Sequence, residues 1–268
     1  MGFARILIVG FGTMTGAMVD GWLRAGYDPG RFEVYHPHRT QVAHRLKVHN
    51  EWPTGGYDAV LLGVKPHMLD DVRDGLEPLL GADTILLTVL AGLEWNAYDE
   101  RFPRAGGIVK FMPNLASALG KSPNALFTPD LSAETRTKVT EMAQDIGTAE
   151  WIDDEAQFDL VTALAGSGPG FVYRFIDALG ASATELGLER EQAGRLATAM
   201  VEGAAALAAA SNLSARDLAA RVASPGGMTQ KGLDVLDRKN ALNALMTECL
   251  AAARDRGAEM ARQSEGKR

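Results

Sequence analysis

The stretch that most limits what this chain can become is Ala4-Arg5-Ile6-Leu7-Ile8-Val9, which runs straight into Gly10-Phe11-Gly12-Thr13-Met14-Thr15-Gly16-Ala17. The first run is short, apolar at consecutive positions and rich in β-branched residues, the pattern of a parallel strand buried on both faces. A helical run through Met18, Trp22 and Leu23 follows the glycines. Strand, glycine turn and helix in this order form the setting in which a dinucleotide pyrophosphate is held. Gly10 permits the tight turn and Gly12 lets the backbone approach the ligand; Thr13 and Met14 complete the loop, and the helix start favours an anion. The third fingerprint position is Thr15 rather than glycine, and Gly16 is the expected compensation in helix–strand packing. The competing reading is a doubly wound domain whose turn is unused.

A second strand, 32–35, ends in His36-Pro37-His38-Arg39-Thr40. No Asp or Glu stands there to read a ribose 2′-hydroxyl. Arg39 and Thr40 suit a 2′-phosphate, because a planar guanidinium binds phosphate in a fork. The chain therefore leans to NADP(H), with NAD(H) left open as a second coenzyme; the alternative for Arg39 is a solvated surface residue. His36 and His38 share a strand face without a third ligand, so no metal is expected. The run 59–64 predicts another buried strand, whose end carries Val64, Lys65 and Pro66 over the cofactor cleft. Helix 68–80, strand 84–90, helix 95–102 and strand 108–112 alternate after it. Met112-Pro113-Asn114 places the Asn114 amide at the cleft, and helix 133–146 follows with Ser132 as its cap. The reading for 1–152 is α/β: a Rossmann-like, doubly wound parallel sheet covered on both sides.

From 153 to 268 only helical patterns occur. A helix over 154–164 leads to Gly166-Ser167-Gly168-Pro169, read as a turn that opens a long helix and offers free N–H groups to an anion. Phe171, Val172, Phe175, Ile176, Leu179, Ala183 and Leu186 fall on one predicted buried face. The segment 193–210 is so rich in Ala and Leu that a second subunit is the expected cover. Ser224-Pro225-Gly226-Gly227-Met228-Thr229 is a second glycine–proline helix entrance, ahead of a helix over 230–236. The last helix is predicted over 241–261, with a charged, frayed tail over 263–268. The net charge of −7 argues against nucleic acid as the main partner. The single cysteine, Cys249, cannot form an intrachain disulfide. No apolar run reaches the roughly 20 residues of a membrane span, so the expectation is a cytoplasmic protein without a membrane partner.

Taken together these segments resemble the pyrroline-5-carboxylate reductase family over the whole chain. The most specific stretches are Ala163-Leu164-Ala165-Gly166-Ser167-Gly168-Pro169 and Ser224-Pro225-Gly226-Gly227-Met228-Thr229, in the family's order and spacing. The resemblance implies an N-terminal NAD(P)-binding domain over 1–152. It also implies an all-α C-terminal substrate-binding and dimerisation domain over 153–268, self-association through its helices, and a five-membered cyclic imino acid as substrate. Thr229 is the expected catalytic hydroxyl, bonded to the imine nitrogen. Gly226, Gly227 and Met228 would hold the carboxylate through backbone N–H groups, with Ser167 a weaker candidate at the other turn. The chain departs from the family pattern at Leu115-Ala116, Ala165 and Met228, and has no acidic residue beside Asn212; these changes bear on substrate preference more than on reaction class. Two rivals remain: a related hydroxy-acid dehydrogenase, which needs an assisting lysine that 158–170 lacks, and a nucleotide-binding sensor without turnover or one acting on another imine.

Overall fold

The computed structural model describes residues 2–265. Its sheet begins with Ile6–Val9 (β1), every residue of which is buried. The other strands are Phe32–Tyr35 (β2), Lys47–His49 (β3), Ala59–Leu62 (β4), Ile85–Thr88 (β5), Gly107–Met112 (β6), Ser122–Phe127 (β7) and Gly147–Trp151 (β8). They lie in the order β3-β2-β1-β4-β5-β6-β7-β8, so the first six follow the dinucleotide-binding arrangement. All neighbours up to β6 are parallel, with Ile6 opposite both Phe32 and Ala59. The parallel expectation fails at one place: β7 runs antiparallel to β6, and β8 parallel to β7.

Side chains alternate across β1 into two cores. Ile6 and Ile8 join Met18, Val19 and Trp22 of Thr13–Arg24 (α1) and Val139 and Met142 of a later helix. Leu7 and Val9 join Leu69, Val72 and Leu76 of Leu69–Leu76 (α2) on the other face. Tyr98, in Trp95–Asp99 (α3), belongs to that second core. Trp22 stacks on Phe32 at 5.7 Å and donates its indole N–H to the Met142 carbonyl at 2.8 Å, which ties α1 to Ala133–Gln144 (α4). Ser132 accepts from the Thr135 amide at 3.2 Å, the cap expected for that helix.

Burial pushes the Glu33 carboxyl up, but hydrogen bonds from His49, Arg5, Tyr57 and Lys47 outweigh it and bring its pKa down to about 2. Their distances are 2.6, 3.0, 3.1 and 3.3 Å. A carboxyl lowered in the folded state stabilises it above the ordinary value of 4.5 and loses that contribution as pH falls toward 2. Denaturant titrations between those limits should therefore show stability falling with acid, and Glu33→Gln should flatten the slope while costing about 1–3 kcal/mol at neutral pH.

The chain groups into two compact units, one comprising residues up to Gly166 with those from Ala252 onward, the other Ser167–Ala251. Past β8 come Phe158–Val161 (α5), a π-helical segment over Thr162–Ser167, and the helices Gly168–Glu185 (α6), Arg190–Ala210 (α7), Ala215–Val222 (α8), Met228–Asp237 (α9) and Ala241–Glu265 (α10). In the second unit α6 and α7 approach closely where Gly180 faces Gly194, a Cβ on Gly180 standing 3.5 Å from the Gly194 Cα. The predicted buried face of α6 is only partly covered: Phe171, Ile176, Leu179 and Ala183 are half-buried, whereas Val172, Phe175 and Leu186 are exposed, Leu186 at 89%. Along α7 only Ala193 and Ala197 are buried. One neighbouring helix cannot cover two apolar stripes, and the remainder is left for another surface. The last helix extends to Glu265, past the predicted end, and 266–268 of the predicted tail lie outside the described residues.

Candidate active site

The glycine loop follows β1, between the ends of β2 and β4. Gly10 has φ +87°, a conformation open mainly to glycine. A Cβ there would stand 2.9 Å from Val64 Cγ1 and 3.0 Å from the Val64 amide. The Gly10 N–H donates to the Tyr35 carbonyl at 3.1 Å. Val64 thus packs against the loop itself, while Lys65 next to it is exposed and Pro66 opens a single 3-10 turn, Pro66–Met68.

Gly12 is different. It is the N-cap of α1 with φ −99°, which any residue can adopt, and beyond its immediate chain neighbours nothing lies within 4 Å of a Cβ built on it. Neither backbone nor packing calls for glycine, yet a side chain would project beside the helix start, where anions are favoured. This cradle fits a dinucleotide pyrophosphate. Thr13 opens α1 in an exposed position, and Met14 packs partly on the core.

Gly16 does not provide the expected compensation. A Cβ on Gly16 would make only an ordinary 3.6 Å contact with Phe11. The residue that makes room is Gly63, where a Cβ would stand 2.3 Å from Thr15 Cγ2. Thr15 is 1% exposed. Its hydroxyl accepts from the Gly12 amide at 3.0 Å and reaches the Gly10 and Gly12 carbonyls at 3.2 and 3.3 Å. Close helix–strand packing is kept, with the small residue moved from the helix to the end of β4. A threonine at the third position followed by a search for glycine after the neighbouring strand would have found Gly63 in the sequence.

Arg39 is exposed, but its Nη1 donates to the Phe11 carbonyl at 2.9 Å, so the guanidinium sits at the glycine loop. Gly10, Gly12, Thr13, Val64 and Arg39 are thereby brought to the ends of β1, β2 and β4. Asn114 lies at the end of β6 and its amide is turned inward. Its Oδ1 accepts from the Ala116 amide at 2.8 Å and its Nδ2 donates to the Ala165 carbonyl at 2.9 Å.

The stretch Gly166–Pro169 does not start a helix after a turn; Thr162–Ser167 is π-helical and passes directly into α6. Pro169 has no N–H for the carbonyl four residues back, that of Ala165, and its ring crowds it. The wider π turn relieves the crowding, and Asn114 supplies the missing donor. The N–H groups of this stretch therefore continue a helix instead of opening one, and Ser167, although exposed, lies outside any free helix start.

In the helical unit, Ser224 to Gly227 form a turn closed by the Gly227 N–H donating to the Ser224 carbonyl at 2.9 Å. Pro225 followed by Gly226 at φ +72° is the type II pattern. A Cβ on Gly227 would stand 3.1 Å from the Ser224 carbonyl oxygen and would displace the Ser224 hydroxyl, so a small residue suits this N-cap of α9. The first amides of α9, beginning with Met228, lack intrahelical acceptors by geometry. Met228 is 94% exposed. Thr229 is exposed too. Thr229 is the second residue of α9, with Pro225 of the turn four residues back, so its hydroxyl is not drawn to a helical carbonyl as those of Thr184, Thr198 and Thr247, further along their helices, are.

Residues 155–260 match the family description "Pyrroline-5-carboxylate reductase dimerisation", which supports self-association. No helix among the described residues is long and apolar enough to cross a membrane. The pyrroline-5-carboxylate reductase of Pseudomonas aeruginosa is 30% identical over 98% of this chain and 99% of its own. That of Aquifex aeolicus is 38% identical over 72% and 71%. The structure of a pyrroline-5-carboxylate reductase from Coxiella burnetii superposes with a TM-score of 0.88 at 28% identity, covering 96% of this chain and 98% of that one. The glycine loop, the α9 turn and kinship along the full length agree: this chain belongs to the pyrroline-5-carboxylate reductase family.

Proposed function

We propose that this protein reduces 1-pyrroline-5-carboxylate to L-proline, the last step of proline biosynthesis, using NADP(H) in preference to NAD(H). The observation that carries this is the end-to-end relation to a reductase of that name, 98% of this chain against 99% of the relative. The cradle at Gly12 and the α1 start would hold the pyrophosphate, and Arg39 the 2′-phosphate. A reduced nicotinamide bound there supplies a hydride to the imine carbon. The chain's own residues bind and orient. The α9 amides after Gly227 take the substrate carboxylate, a charge-assisted interaction. The Thr229 oxygen accepts the N–H of the protonated imine, which brings its own proton, so no strong general acid is required. Asn114 acts through Ala165, fixing the backbone ahead of Ser167.

We assign the coenzyme to residues 1–152 and substrate and partner to 153–268, with the matched dimerisation segment starting at 155. The compact units divide instead at Gly166, and residues from Ala252 onward group with the first. A second copy would cover the apolar stripes of α6 and α7, including Val172, Phe175, Leu196, Met200 and Leu207, all exposed in the single chain. The reading carries a cytoplasmic location with it. The test is loss of NADPH absorbance on adding pyrroline-5-carboxylate, with proline identified as product; coenzyme binding without turnover would favour the sensor reading instead.

A further inference from the structure

The turn after β2 is tied from two sides. Nδ1 of His36 accepts the backbone N–H groups of His38 and Arg39, each at 3.2 Å. Asn50 Nδ2 donates to the carbonyls of His36 at 2.9 Å and Arg39 at 2.8 Å. The His36 N–H donates in turn to the His49 carbonyl of β3 at 3.0 Å. Two donors at one ring nitrogen fix the tautomer, with the lone pair on Nδ1 and the proton on Nε2. Burial, then the charge of Arg39, then His38 lower the His36 pKa, which keeps that lone pair available at neutral pH.

The side chain this turn presents to the glycine loop is that of Arg39, held at the Phe11 carbonyl between Gly10 and Gly12. A long flexible side chain anchored at its backbone on both sides and at one guanidinium nitrogen meets a ligand with less freedom left to lose. We propose that His36 and Asn50 are positioning residues that pre-set the Arg39 guanidinium for a ribose 2′-phosphate, and so set the preference for the phosphorylated coenzyme. This rests on the reading of Arg39 given above. Neither residue touches the reacting atoms; both act through the backbone of residues 36–39.

The experiment is calorimetric titration of the full chain with NADP+ and with NAD+. His36→Phe keeps a ring of similar size and removes the acceptor. It should weaken NADP+ about tenfold, the scale of one or two lost hydrogen bonds, with NAD+ changed less than about twofold. Asn50→Ala should do the same by an independent route, and decides the matter if His36→Phe does not fold. His36→Asn, whose side-chain oxygen can accept an amide two residues on, should restore the native ratio. In an Arg39→Gln background His36→Phe should add nothing further. Equal weakening of both coenzymes, or an unchanged ratio in both clamp variants while Arg39→Gln collapses it, overturns the proposal. An unchanged ratio in Arg39→Gln itself sinks the reading of Arg39 on which it stands.

Discussion

Thr229→Val is expected to lower kcat/KM for the cyclic imine by about tenfold or more while leaving the affinity for NADP+ as it was. Valine keeps the volume and branching of threonine, so the helix start at Gly227 is preserved and only the oxygen is lost. A hydrogen bond to a charged partner contributes about 1.5–3 kcal/mol, which spans the predicted loss. In this structure the hydroxyl is exposed, and at the second position of α9 no helical carbonyl stands four residues back to occupy it. Steady-state kinetics of Thr229→Val and Thr229→Ser decide it: serine should hold most of the activity, and native rates in the valine variant would remove Thr229 from the mechanism.

The second large effect concerns Thr15 and Gly63. Gly63→Ala should cost about 1–3 kcal/mol, because the new Cβ would stand 2.3 Å from Thr15 Cγ2 in a packed setting. Thr15→Gly, which would complete the glycine fingerprint, should destabilise by a similar about 1–3 kcal/mol. It removes the bonds to Gly12 and Gly10 and places a glycine in a helix. The double variant returns a small residue to the helix and a methyl to the strand end, so its cost should fall well short of the sum. Urea denaturation of the four proteins measures the coupling; strict additivity would show that the two positions do not fill one space.

Much of the first unit could be read directly from the chain. Runs apolar at consecutive positions, such as Ile6–Val9 and Ala59–Leu62, can be satisfied only by burial on both faces, which requires a parallel sheet with helices above and below. The strands that escaped were those lacking that signature. β7 carries Pro123 and Asn124, poor strand formers, and is held by Asn124 donating to the Ala143 and Thr148 carbonyls at 2.8 Å each. β8 alternates with polar residues, and β3 is three residues at an edge. The helices of the second unit were legible as helices. Their burial was not, since periodicity reports an apolar face and says nothing of whether the same chain covers it.

By itself the sequence determined the elements whose chemistry is local: the glycine at φ +87° after β1, the Ser132 cap, the Pro-Gly turn before α9 and the basic residue after β2. Each depends on residues close in the chain. Only the tertiary structure decided that Gly63 makes room for Thr15, that Asn114 serves the carbonyl Pro169 leaves unbonded, and that Asn50 ties the turn bearing Arg39. Those pairings join residues 48, 51 and 11 positions apart, and no local pattern specifies which distant group will supply a missing donor or a missing volume.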